Sequence, residues 1–383
     1  MSTAVDQHKT SGTSQPPQVS LSEARKIVGE LFTPKPWVYW TDFCVTWIVA
    51  MGAFSSVRQL ELFSWQQVAC FVISSLLFYR LAMFIHELVH LRSGTMNAFR
   101  FVWNLLVGIP FLMPSFVYYT HLDHHRRKHY GTEHDGEYLS LEHGGRWQII
   151  AFLLSPLIVP PLAVFRFLVL TPLTWISPAV RDWVHRHASS MVIDPTYIRP
   201  LPTREALRNI RIQETLCFLW CLGIAIGAMT VGQWPYPMIL HAYLTSVFIL
   251  TINAVRTLGA HRWTNAEGEM TFLEQLLDTV NYPYRTWITA LWGPVGTRYH
   301  ALHHLFPSLP YHAMPEAHRR LERELPADHV YRQTTETSLI QAIAHLWQRA
   351  TEAEQASATA NHRANPAVSC AENETGAQTQ TSR

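Results

Sequence analysis

The histidine spacing in the segment HLDHHRRKH, residues 121–129, constrains the fold of this chain more than any other feature. His121, His124 and His125 occupy positions i, i+3 and i+4, which share one face of a helix, so three ring nitrogens can converge on one metal ion. The segments HELVH and HALHH have related spacings. We call these clusters the three histidine boxes: His86 and His90; His121, His124 and His125; His300, His303 and His304. Because each lies at the boundary of a hydrophobic segment, the boxes predict one polynuclear metal site.

The composition favours a membrane over an aqueous environment. Of the 383 residues, 48% are hydrophobic and 15% are charged, whereas soluble domains carry about 25% charged residues. The net charge of +2 gives no reason to expect a nucleic-acid partner. The five cysteines include no CxxC pair, which argues against a disulfide scaffold and against an iron–sulfur cluster.

Four segments are long and apolar enough to cross a bilayer. They are 37–55, 64–85, 212–232 and 236–255. Each consecutive pair forms a predicted helical hairpin. Basic residues flank the second box and are frequent over 181–211, which places these regions in the cytoplasm by the positive-inside rule. The sequence therefore predicts an all-α integral membrane protein with both termini and all three boxes on the cytoplasmic side, in a bacterial inner membrane or the endoplasmic reticulum.

Two other apolar segments, 101–119 and 147–176, are predicted to add no span to this count. If 101–119 crossed, the first and second boxes would lie on opposite faces, whereas the ligands of one metal site must lie within a few ångströms of each other. Pro110 and Pro114 suit a broken, in-plane or re-entrant segment. Basic flanks on both sides of 147–176 predict that it either does not cross or crosses and returns. A cytoplasmic helical cap would then carry the boxes.

Composition also divides the chain into three parts. Residues 1–20 and 351–383 are polar and are predicted to be disordered tails. Residues 21–350 are predicted to form one membrane domain. At its start, 21–32 has the pattern of a short amphipathic helix that lies on the membrane.

The number of boxed histidines indicates the kind of metal centre. Eight imidazoles exceed the four ligands of one zinc ion, and they suit two metals with about four protein nitrogens each. His261, at the cytoplasmic end of the fourth span, is a ninth candidate ligand. A two-metal site beside spans that can hold an acyl chain suggests oxidation of a lipid, because side chains alone cannot attack an unactivated C–H bond.

The three boxes, in this order and at these distances from two hydrophobic hairpins, resemble the integral-membrane fatty acid desaturase and hydroxylase superfamily. Residues 300–321, HALHHLFPSLPYHAMPEAHRRL, are similar to the HHLFPxxPYxxLPxxH ending of acyl-lipid desaturases, and 121–138 is similar to the second box of the family. The resemblance covers about residues 35–325. It implies a non-haem di-iron centre with the eight boxed histidines as ligands, and His261 matches an additional histidine of some members. Thr257 departs from the Asn of the acyl-CoA desaturases.

The resemblance also implies a reaction and its partners. A lipid or acyl-thioester substrate, O₂ and two external electrons would yield a double bond in a fatty acyl chain. The sequence has no flavin fingerprint and no haem-binding segment of the fused type, so a separate donor such as a ferredoxin, a rubredoxin or a cytochrome b5 is expected. Hydroxylation or ketolation of a lipid or carotenoid remains open, and the third-box ending favours desaturation over it.

Two more remote functions use the same residues differently. HELVH matches the HExxH motif of zinc proteases, which leaves six boxed histidines without a role. A His-rich metal transporter would hold its ligands within the spans, whereas the boxes lie at span ends.

Three further side chains are candidates for supporting roles. Glu87 and Asp123 lie inside the boxes, where a carboxylate can orient a ligand imidazole. His241 falls within the fourth span, where a polar side chain is costly and faces the protein interior. It is therefore a candidate for lining a substrate channel.

Overall fold

A computed structural model describes residues 21–230, 236–266 and 268–364. The predicted tail 1–20, the hairpin connection at 231–235 and the residues after 364 lie outside the described residues. Within the described ranges the chain forms helices and no strand, and three isolated bridges are its only β-type pairings. The predicted all-α class is confirmed.

The α-helices of the described residues are numbered in chain order. They are α1 Leu21–Val28, α2 Pro36–Val57, α3 Trp65–His90, α4 Asn97–Trp103, α5 His121–His124, α6 Arg146–Leu154, α7 Val159–Phe165, α8 Thr171–Ile176, α9 Pro178–His187, α10 Arg204–Thr230, α11 Tyr236–Ala260, α12 Phe272–Asp278, α13 Thr286–Trp292, α14 His300–Leu305, α15 Met314–Glu324 and α16 Leu339–Ala364. Short 3-10 helices cover Gly29–Phe32, Ser115–Tyr118, Ser155–Leu157, Tyr311–Ala313 and Val330–Thr334, and π-helical turns cover Asn104–Gly108 and Arg166–Leu170.

Five helical runs in the described residues are long and apolar enough to cross a membrane: α2, α3, Val159–Ile176, α10 and Pro237–Ala260. The protein is an integral membrane protein. Four of these runs correspond to the four predicted spans. The fifth lies in 147–176, where the sequence analysis counted no net crossing, and the π-helical turn at Arg166–Leu170 interrupts its regular hydrogen bonding. The count of four spans stays a prediction.

The other excluded segment, 101–119, is broken into short pieces. α4 passes into the π-helical turn, Leu112 has a left-handed φ of 55°, and a 3-10 helix follows at Ser115–Tyr118. The Asn104 side chain closes the break, because its Oδ1 accepts from the Ser115 N–H at 2.8 Å. The chain from α3 to α5 therefore stays compact, and it returns to the end of α3 where the first box lies.

The structure corrects two predictions about the ends of the domain, namely a helix that lies on the membrane at 21–32 and a disordered tail that begins at residue 351. α1 does not present its apolar face to a membrane, because Ala24 and Val28 are buried in a cluster with Ala317 and Leu321 of α15. The predicted disordered tail at 351–383 begins too early, because α16 continues to Ala364. Residues 351–364 include five Ala and two Glu, which favour a helix.

An aromatic core fixes the end of the first hairpin that lies near the first box. Phe43 of α2, Phe84 of α3 and Phe99 of α4 meet edge to face, with ring centroids 5.5–6.3 Å apart. The buried Trp103 indole donates from Nε1 to the Leu81 carbonyl at 2.8 Å. These contacts hold the last turns of α3, which carry His86 and His90.

A buried ion pair ties the interrupted fifth run to α10. The Arg166 guanidinium donates to the Glu214 carboxylate, to Thr171 Oγ1 at 2.9 Å and to Ser189 Oγ at 3.0 Å. Arg166 Nε donates to the Ala188 carbonyl at 2.6 Å. Both charged side chains are under 10% exposed, so the pair depends on this full set of partners.

Replacing Glu214 should destabilise the protein because it leaves the Arg166 charge buried and unpaired. We expect Glu214→Ala to lower the free energy of unfolding by about 3–5 kcal/mol, measured by denaturant unfolding of the purified protein in detergent. The matched control is Glu354→Ala, which removes the exposed ion pair with Arg146 and should leave stability unchanged. Equal losses in the two variants would contradict this role for the buried pair.

Candidate metal centre

All nine predicted ligand histidines come together in two adjoining groups. Within each group, one nitrogen from each imidazole lies within 4.8 Å of the others. The first group has five members, namely His86, His90, His121, His125 and His303; the second has four, namely His124, His261, His300 and His304. The rings of His125 and His304 are 4.2 Å apart between centroids, which brings the two groups into contact.

The HxxHH spacing divides its imidazoles between the groups. In the second box, formed by α5 and the capping residue His125 after it, His121 and His125 belong to the first group, whereas His124 belongs to the second. α14 does the reverse, because His300 and His304 belong to the second group and His303 to the first. At 3.6 residues per turn, position i+4 lies about 40° from i, whereas i+3 lies about 60° to the other side. The expectation that His121, His124 and His125 can converge on one metal ion is therefore corrected, because the structure divides them between the two groups.

The distances within the groups fit metal ligation. Nε2 atoms are 3.0 Å apart in His121–His125, 3.0 Å in His125–His303 and 3.1 Å in His90–His303. In the second group, His300 Nε2 is 2.9 Å from His261 Nε2 and 3.1 Å from His304 Nε2. Two nitrogens bound at about 2.1 Å to one ion, at right angles, are about 3.0 Å apart. Both groups therefore have the donor set and spacing of a metal site.

The imidazoles are electrostatically prepared to act as ligands. Burial, and then the neighbouring imidazoles, lower the pKa values of His125, His303 and His304 well below the ordinary histidine value. Burial lowers the pKa of His261 in the same way. These rings are therefore neutral at physiological pH, and a neutral ring nitrogen offers the lone pair that a metal needs.

Carboxylates contact the outer ring nitrogen, Nδ1, of three of the ligand imidazoles, and two of these are His121 and His124. His121 Nδ1 lies 2.9 Å from Glu137 Oε2, and His124 Nδ1 lies 2.8 Å from Asp135 Oδ2. Although burial opposes the ion pair, Asp135 raises the pKa of His124 and His124 lowers the pKa of Asp135. Burial raises the pKa of Glu137 to about 8. A partner on Nδ1 fixes the tautomer and directs Nε2 into the centre.

His261 is held by a network from other parts of the chain. Its Nδ1 lies 3.2 Å from Asp278 Oδ2, and the Tyr130 hydroxyl lies 2.8 Å from the same nitrogen and donates to Asp278 at 2.7 Å. An isolated bridge pairs His261 with Thr279. These contacts place the ring just after α11 ends, at the edge of the second group.

The structure corrects the prediction that Glu87 and Asp123 orient ligand imidazoles. Glu87 Oε1 accepts from the Tyr39 hydroxyl and from the Tyr311 N–H at 3.3 Å, because the side chain points from α3 into the aromatic core. Asp123 points outward from α5 and pairs with Arg126 at 2.6 Å and with His129. Neither carboxylate contacts a grouped imidazole among the described contacts.

Sequence reasoning missed the carboxylates that do make these contacts. Asp135 and Glu137 follow the second box within the same His-rich loop, so their acidity and proximity were an available signal. Gly131 allows that loop to fold back, since its φ is 70° and its N–H donates to Asp135 at 3.0 Å. Asp278 lies far from every box in the sequence, and nothing local marks it.

His241 lies away from the centre. It is near the start of α11, about 28 Å along the helix from Ala260 at 1.5 Å per residue. Its buried ring stacks on Phe54 with a centroid distance of 4.0 Å. It does not line the cavity beside the imidazoles, so the structure does not place it in a channel at the site, and its packing accounts for its burial.

A cavity of about 140 Å³ lies beside the two groups. Imidazoles of both groups line one side of it, including His121 and His261, and Phe152, Pro156 and Val159 form an apolar side. The arrangement can present the carbon chain of a lipid to a two-metal centre.

Comparison with known proteins agrees with this fold and site. The fatty acid desaturase family model matches residues 63–335, so the chain belongs to the fatty acid desaturase family. The chain is also 36% identical over 335 residues to a ceramide hydroxylase of Caulobacter vibrioides, covering 85% of this chain and 93% of that protein. The predicted superfamily is confirmed, and the protein is an oxidoreductase of the desaturase and hydroxylase type.

Removing the carboxylate behind His124 should weaken metal binding. We expect Asp135→Asn to lower the metal affinity of the second group about 10- to 100-fold, because the imidazole loses the partner that fixes its tautomer. The measurement is metal retention against a competing chelator. The control Asp123→Asn changes a carboxylate on the same short segment that contacts no grouped imidazole, and its metal retention should match the wild type. Equal loss in both variants would contradict the assignment.

Proposed function

We propose that this protein is a di-iron lipid hydroxylase that acts on a ceramide-type lipid. The observation that carries the proposal is the pair of adjoining imidazole groups, five and four, beside a cavity with an apolar side. A donor set of imidazoles suits iron, and two irons provide the one-electron and O₂ chemistry that breaks an unactivated C–H bond. The name of the Caulobacter relative supports hydroxylation and a ceramide substrate.

The proposed reaction balances with an external reductant. One C–H bond of the lipid, O₂, two electrons and two protons give one C–OH group and one water. The residues of this chain would hold the two irons through Nε2 and keep the imidazoles neutral and oriented. Glu137, Asp135 and Asp278 do the orienting, since each lies against the outer nitrogen of one ring.

The partners and orientation of the enzyme follow from the same proposal. A separate electron donor of the ferredoxin, rubredoxin or cytochrome b5 type supplies the two electrons. The basic flanks of the second box favour a cytoplasmic centre and cytoplasmic termini, where such donors are available. The lipid reaches the cavity from the bilayer.

Desaturation is a second candidate, favoured by the third-box ending HHLFPSLPY. It uses the same centre, O₂ and two electrons, removes hydrogen from two adjacent carbons and forms two waters. The two reactions differ in the product and not in the metal ligands, so a measurement of the product separates them.

Lipid profiling after expression in a ceramide-containing host with an active electron donor tests the reaction. We expect a ceramide species heavier by one oxygen atom that disappears in His124→Ala, because this change removes one imidazole from the second group. A species lighter by two hydrogens would instead establish desaturation. An unchanged profile in the wild type, with purified ceramide and donor also supplied in vitro, would refute both.

Metal analysis separates the enzyme from a metal transporter. The wild-type protein should retain about two irons per chain after purification, one for each imidazole group. A protein that retains zinc in preference to iron, with well under one iron per chain after iron-replete growth, would contradict the di-iron proposal.

A further inference from the structure

The cavity beside the metal centre contains a buried cation that no carboxylate among the described residues contacts directly. Arg256, in the last turn of α11, is 6% exposed and lines this cavity. Its Nη2 donates to Asn253 Oδ1 at 3.2 Å, and its buried Nε has no hydrogen-bond partner. No ion pair in the described part of the chain includes it. A buried charge of this kind costs stability unless a ligand completes its hydrogen bonds.

A second polar atom in the same cavity also lacks a partner. Glu137 uses Oε2 for His121 and for the Tyr118 hydroxyl, which lies 3.3 Å away. Its other oxygen, Oε1, is buried with no hydrogen-bond partner. Glu137 and Arg256 both line the cavity. The wall therefore offers a guanidinium N–H that needs an acceptor and a carboxyl oxygen that needs a hydroxyl or an N–H.

This pattern matches particular lipid groups. A hydroxyl both donates and accepts, so it satisfies Glu137 Oε1 whether the carboxyl is ionised or protonated, and a secondary amide offers a carbonyl together with an N–H. An ester or a thioester offers acceptors alone, and its carbonyl is a weaker acceptor than that of an amide. An amide or hydroxyl head group therefore completes the hydrogen bonds of both groups in either protonation state of Glu137, which an ester does not.

The remaining lining indicates how much of the lipid occupies this space. Phe152, Pro156 and Val159 form the apolar side, and the neighbouring Leu157 and Ile158 are exposed, as lipid-facing residues would be. The cavity of about 140 Å³ is smaller than the pockets of about 300–1,000 Å³ that enclose a whole ligand. It can hold the reacting segment and the polar group next to it, with the chains outside.

We propose that Arg256, with Asn253 and Glu137, is a specificity-determining residue that binds the amide and hydroxyl head group of an N-acyl amino alcohol, so that a carbon close to this head group is oxidised. The inference rests on the proposed function, from which it takes only that a lipid is oxidised at this centre. It predicts that simple acyl esters and thioesters bind more weakly than the matching amides.

The test measures ligand binding rather than turnover. Purified protein with its metal is titrated with N-octanoyl-sphinganine and with octadecyl octanoate, an ester of matched chain lengths, and binding is followed by tryptophan fluorescence. The wild type should prefer the amide about 10- to 100-fold, the range expected for hydrogen bonds to a charged group. Arg256→Met should lose most of this preference, because the amide carbonyl is the stronger acceptor and loses more from the removal of the guanidinium than the ester carbonyl does. A wild type without preference, or an Arg256→Met that keeps it, would overturn the proposal.

Stability separates binding from a structural role. If Arg256 serves the ligand, Arg256→Met removes a buried charge that has no direct ion pair, and the unfolding temperature of the lipid-free protein should stay the same or rise. A lower unfolding temperature with unchanged preference would indicate a structural residue. If Arg256→Met does not fold, Asn253→Ala is the deciding variant. A several-fold loss of the preference for the amide over the ester would support the proposal, and an unchanged preference would contradict it. Arg211→Met, on the exposed side of α10, is the control and should keep the wild-type preference.

The outcomes also separate this inference from the proposed function. A protein that prefers the amide through Arg256 but forms a double bond would contradict hydroxylation and leave the head-group site intact. A protein that adds oxygen to lipids but binds amide and ester equally would contradict the head-group site alone.

Discussion

The centre depends on one electrostatic constraint, which is that nine imidazoles buried together cannot all be charged. Exclusion of water and repulsion from neighbouring protonated rings lower the pKa values of rings such as His125 and His303, whereas Asp135 raises the pKa of His124. Where a carboxylate lies behind a neutral ring it accepts the outer N–H, as Asp278 does for His261. The lone pairs are then left facing inward, which is the arrangement that a cation stabilises.

The rest of the fold serves to bring these rings together at one end of the membrane helices. α3 ends at the first box and α11 ends just before His261, so two long helices deliver ligands from separate hairpins. The short helices α5 and α14, with the capping residue His125 after α5, supply the other six. Where the chain between α3 and α5 might have crossed the bilayer, the contact between Asn104 and Ser115 holds it in a folded-back segment.

Sequence periodicity predicted the ligand histidines that lie close together along the chain. It missed contacts between residues that are distant in the sequence. The histidine spacing identified the eight boxed residues because ligands at helical positions repeat visibly, and the position of His261 after the fourth span, together with the family resemblance, identified the ninth. Glu87 and Asp123 were chosen for closeness along the chain, yet each points away from the imidazoles on its helix. Asp278 takes that role from far along the chain, where no local pattern exists. Arg256 resembled an ordinary basic flank of a span, and only its burial distinguishes it.

The division of each HxxHH box between both imidazole groups has a mechanical consequence. Because α5 and α14 each contribute to both groups, the separation of the two centres is set by the pitch of a helix rather than by flexible loops. A rotation of either short helix would move ligands of both centres together. The two imidazole groups therefore form one rigid unit with a fixed separation. A change in the geometry of one group also displaces ligands of the other.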